Sequence, residues 1–92
     1  MTNQEARQAI AADTSLTNRQ RFELTLTEHY RDLFETPEFA MVAKRMSPAA
    51  LAEKMTDGLI AGSADKGGDG VKRTCRDLGI AHTYTAIRAY LT

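Results

Sequence analysis

The stretch "DKGGDG", Asp65 to Gly70, places side-chain oxygens and glycines where a metal or phosphate loop could begin. Asp65, Asp69 and Gly70 match the first, fifth and sixth positions of a calcium-binding loop. Such a loop also needs an oxygen ligand at its third position and a bidentate Glu at its twelfth. Those positions here hold Gly67 and Arg76, which supply no ligand. A phosphate loop of the G-x-x-x-x-G-K-[ST] form is also missing. Cys75 with His29 or His82 could form a thiolate–imidazole pair, but Cys75 keeps helical register with Val71 and Leu78 and reads as a core residue. One cysteine and two distant histidines do not make a zinc site. The sequence implies no metal, no cofactor and no catalytic constellation, and the expectation is a protein that is not an enzyme.

The segment that follows reads differently. "TCRDLGIAHTYTAIRAYL" resembles a helix-turn-helix in its first half, where Cys75, Leu78, Gly79 and Ile80 fit a small residue followed by a Leu-Gly-Ile turn. The second half departs. Apolar residues are usual about six and nine positions after the turn glycine, where this chain has Thr85 and Arg88. Its own apolar residues, Tyr84, Ile87 and Leu91, are out of that register. As a DNA reader, the segment at 71–91 would offer Thr83, Thr85 and Arg88 to bases or phosphates, with Lys72, Arg73 and Arg76 along the backbone. The alternative is a plain helical hairpin.

Charge gives the same region weight. Lys and Arg together number 12, as do Asp and Glu, so the formal net charge is zero. Residues 1–63 sum to −2 and residues 64–92 to +2, the latter from Lys66, Lys72, Arg73, Arg76 and Arg88 against Asp65, Asp69 and Asp77. Nucleic-acid binding would have to use this local asymmetry, because the chain has no overall basic surplus. The other charge pattern is an acidic stripe, Glu28, Asp32 and Glu35, along one helix face. It reads as a solvated face or a contact for a basic partner.

These residues must be held by a small scaffold. Ninety-two residues make one domain with room for one core, and 42% hydrophobic with 26% charged residues is ordinary globular composition. The spacing predicts a first helix after a Thr2 or Asn3 cap. A longer one follows after Thr17, with Phe22, Leu26, Tyr30, Leu33 and Phe34 as its apolar stripe. Thr36-Pro37 and Ser47-Pro48 each start a further helix. The first of these turns Phe39, Val42 and Met46 inward. The second turns Leu51, Met55 and Leu59 inward and is weakened at Gly58. Residues 62–70 hold four of the six glycines and read as a flexible loop. Asp69 then caps a helix that ends at Gly79, and Thr83 caps the last one. The fold expected is an all-α, compact single-domain bundle of five or six short helices over 1–92. No signal peptide or membrane span is visible, and a lone cysteine suits a reducing cytosol.

In its size and its lack of a catalytic constellation, the whole chain resembles the small single-domain accessory proteins of phages and plasmids, the anti-CRISPR proteins among them. That resemblance implies a stoichiometric inhibitor. It would act in the cytoplasm of a bacterial host by occupying the surface of a host protein or ribonucleoprotein complex, such as a CRISPR surveillance complex. It carries over no site residues. The contact candidates are the chain's own basic residues, Lys66, Lys72, Arg73, Arg76 and Arg88, which would touch protein, RNA or DNA. The alternative is a small DNA-binding transcriptional regulator using the segment at 71–91.

Overall fold

The computed structural model describes residues 2–92, which form six α-helices and no strand. They are α1 (Asn3–Ala12), α2 (Asn18–Leu33), α3 (Ala40–Ala43), α4 (Pro48–Ala61), α5 (Asp69–Leu78) and α6 (Tyr84–Leu91). The all-α reading is correct. α2 is the central element: α1, α4, α5 and α6 all rest on it. Its residues Phe22, Leu26, Tyr30 and Leu33 meet Ala52 and Leu59 of α4, Val71 and Cys75 of α5, and Ile87 and Leu91 of α6. The radius of gyration, 12.4 Å, is about that of a compact domain of this length.

Local chemistry sets the helix ends. Thr2 and Thr17 each form a reciprocal capping box, with Glu5 and Gln20 as the answering side chains. Ser47 Oγ accepts the Ala50 N–H at 3.1 Å, and Pro48 opens the helix behind it. Thr83 caps α6 in the same way, accepting from Ala86 N–H at 3.2 Å. α5 ends in a left-handed Gly79 at φ 69°, a conformation that costs glycine little.

Four details differ from the sequence expectations. Thr36 does not cap the segment after it, because its hydroxyl donates to the Leu33 carbonyl at 2.6 Å instead. The chain there makes a 3₁₀ turn, Pro37–Phe39, before the four residues of α3. Phe39, Val42 and Met46 are only half-buried as a result. On α4 the fully buried residues are Ala52, Thr56 and Leu59, while Leu51 and Met55 lie half-buried at the edge. The Thr56 hydroxyl is satisfied by the Ala52 carbonyl at 2.7 Å. α4 also runs unbroken through Gly58. Finally, Gly68 rather than Asp69 is the N-cap of α5; Asp69 sits in the first turn, where its charge suits the helix dipole.

The glycine-rich stretch makes several contacts. Asp65 Oδ1 accepts the Gly67 N–H at 2.8 Å, an Asx turn. Tyr84 donates its hydroxyl to the Ala64 carbonyl, and the His82 imidazole bonds the Lys66 carbonyl. Gly70 lies within α5 and is buried. A Cβ there would sit 2.6 Å from Cε1 of Tyr30. This glycine is set by packing between α2 and α5 rather than by a loop's need to bend.

Gly70→Ala is therefore expected to lower the folding free energy by about 1–3 kcal/mol, the usual range for forcing an extra methyl into a packed core. Urea denaturation of the variant beside the parent measures it. An unchanged midpoint would show that α5 does not press on Tyr30 as described.

Candidate functional site

The seven sequence-derived contact residues separate into two groups. Thr83, Thr85 and Arg88 lie at α6, and Lys66, in the loop between α4 and α5, packs beside it. The Lys66 ammonium stands 5.5 Å from the centroid of the Tyr84 ring. Arg88 donates from Nε to the Ile60 carbonyl at 3.0 Å, closing the C-terminal end of α4. Thr83 has its oxygen engaged as the cap of α6, and Thr85 is exposed. Three of these four side chains thus hold the fold together. α6 packs on α4 and α2, so its placement follows the core rather than the α5 partner of a helix-turn-helix.

Lys72, Arg73 and Arg76 form the second group, on α5. Lys72 and Arg76 are exposed, and neither side chain has a hydrogen-bond or ion-pair partner among the described residues. Arg73 pairs with Asp69 one turn back at 3.1 Å. Arg73 and Arg76 line an open groove of about 670 Å³ between α5 and α1. Gln4, Arg7 and Gln8 supply the opposite wall, with Ala11 and Ala12 beyond them. His29 of α2 and Asp77 of α5 also line it.

A polar network ties the three helices together beneath this groove. The His29 Nε2–H donates to Asp77 Oδ2 at 2.6 Å. Arg7 reaches the same oxygen from Nε at 3.5 Å and Asp32 Oδ2 from a terminal nitrogen at 3.3 Å. Burial pushes the His29 imidazole below its usual value, against the pull of Asp77, and the nearby Arg7 charge works in the same direction. The ring is therefore held neutral. Burial also raises the Cys75 thiol to about 11, so it stays protonated at neutral pH. Asp32, read from the sequence as part of an acidic stripe, is partnered by Arg7 across the helices, and Glu28 pairs with Arg31 at 3.2 Å.

The α1 wall was not found from the sequence. Arg7 falls one turn before Ile10, so it sits at the edge of the apolar face of α1, where a long side chain can reach inward. That was the one available signal for it. His29 and Asp77 are 48 residues apart and only the packing of α2 on α5 brings them together. What the site offers chemically is a set of guanidinium and amide N–H donors around an open groove, which suits recognition of oxyanions. No family model, no curated protein and no solved structure matches this chain.

Because the folded chain holds His29 neutral below its usual value of 6.5, the native state binds fewer protons than the unfolded state once the pH falls to that region. This part of the stability is complete above about pH 6.5 and declines as the pH drops through it. The denaturation midpoint of the parent should fall between pH 7.5 and 5.5. His29→Gln should start lower and fall less over the same interval. Equal slopes for the two proteins would show that His29 does not titrate with folding.

Proposed function

We propose that this chain is a non-enzymatic binding protein that occupies an anionic surface on a larger host nucleoprotein complex. A CRISPR surveillance complex is the instance favoured by its resemblance to the anti-CRISPR proteins. The observation that carries the reading is the α5 face, where Lys72 and Arg76 stand exposed and unpartnered beside an open groove. Unpaired cations on a rigid helix beside a concave surface are available to an incoming partner at no cost in internal ion pairs. The neighbouring titratable groups favour recognition over chemistry: the Cys75 thiol is buried and protonated, and the His29 ring is engaged by Asp77. The α6 end contributes less, since Arg88 and Thr83 are already bonded within the fold.

The test is size-exclusion co-elution with a purified surveillance complex, together with the ability of that complex to bind its target DNA. Co-elution at a fixed ratio and loss of target binding are expected. The double variant Lys72→Gln, Arg76→Gln should weaken both by about tenfold or more, corresponding to about 1.4 kcal/mol or more. Failure to co-elute with any such complex sinks the proposal. Binding to free duplex DNA that falls steeply with added salt would instead favour a regulator that uses α5 and α6.

A further inference from the structure

We infer that the groove between α1 and α5 is a binding site for an acidic protein segment, a helix carrying carboxylates one turn apart. This rests on the binding function proposed above and names the chemistry of the contact. The first argument is spacing. Arg73 and Arg76 lie one helical turn apart on one wall, and Gln4 and Gln8 lie one turn apart on the other. Both walls thus repeat at about 5.4 Å, the pitch of an α-helix, and side chains three or four residues apart on an incoming helix share that repeat.

The second argument is the chemistry of the donors. Arg76 is free to take a carboxylate in a two-bond fork. Arg73 already holds one, Asp69, across an exposed pair. Exchanging that exposed carboxylate for another disturbs little, because such a pair is weak to begin with. The glutamine amides add neutral N–H donors.

The third argument is what the groove excludes. Neither Phe nor Tyr lines it, so it has no platform on which the bases of a single strand could stack. Asp77 lines the groove, Asp69 flanks it through Arg73, and Asp32 lies beneath it on Arg7. A nucleic-acid backbone, with a charge at each step, would run past these carboxylates. Two discrete carboxylates can meet the arginines and avoid them.

The experiment titrates the 92-residue, ¹⁵N-labelled chain with an acetylated and amidated alanine-based helical peptide bearing two Glu residues four apart. Its twin with two Gln residues, and an oligouridylate single strand, are titrated in parallel. The Glu peptide should shift the side-chain signals of Arg73, Arg76, Gln4 and Gln8. It should bind roughly tenfold more tightly than the Gln twin, the size expected for gaining two charge-assisted contacts. Arg76→Gln, an exposed substitution that leaves the core untouched, should remove that preference. Equal affinity for the two peptides overturns the inference, as does an oligouridylate that moves the same signals at lower concentration. These outcomes are separate from those of the co-elution test. If Arg76→Gln still co-elutes undiminished with the nucleoprotein complex, the function stands and the groove assignment falls.

Discussion

The burial of α2 is the constraint on which this structure depends. Phe22, Leu26, Tyr30 and Leu33 give it an ordinary apolar stripe, but Thr25, Thr27 and His29 are buried as well. A helix enclosed on several sides must find partners for its polar groups, because an unpaired buried donor or acceptor is costly. Thr27 donates to the Glu23 carbonyl of its own helix at 2.7 Å. His29 finds Asp77 on α5. Thr25 Oγ1 has no partner among the described residues. Apart from α3, every helix is placed by its fit to this one, and α5 comes close enough that a side chain at position 70 would press on the Tyr30 ring.

That fit explains how the charged residues divide. Asp77 meets His29 and Arg7 because α5 must pack on α2, and Arg7 bridges from Asp77 to Asp32 because α1 lies across both. The inward side of α5 therefore carries a satisfied polar network. Its outward side carries Lys72 and Arg76, which the fold does not use. The groove is a by-product of the same packing: α1 reaches α5 only beside α2 and leaves the space between them open.

Much of the architecture was legible in the sequence because it rests on short-range signals. The caps at Thr2, Thr17, Ser47 and Thr83, the stripe of α2 and the stop at Gly79 all depend on residues within a turn or two of one another. The errors have physical causes of a different kind. Thr36 had a competing acceptor in the Leu33 carbonyl, and nothing local shows which bond wins. The buried face of α4 is set by its packing on α2, which buries Ala52 and Thr56 more deeply than Leu51 and Met55. Of the glycines at 62–70, Gly70 belongs to α5 and answers to a ring 40 residues earlier. The candidate site was half-legible. The α5 cations stood out by charge, whereas Gln4, Arg7 and Gln8 joined them only through tertiary placement.

The loop that leads into α5 is held by bonds from beyond it. Tyr84 and His82 grip the carbonyls of Ala64 and Lys66, and Arg88 closes the end of α4. A ribosome makes all three of those residues after α5. The approach to the candidate site therefore lacks its braces while α5 is leaving the exit tunnel. Every residue lining the groove precedes these three braces in the chain, so the entry into α5 is set by residues made after the groove itself.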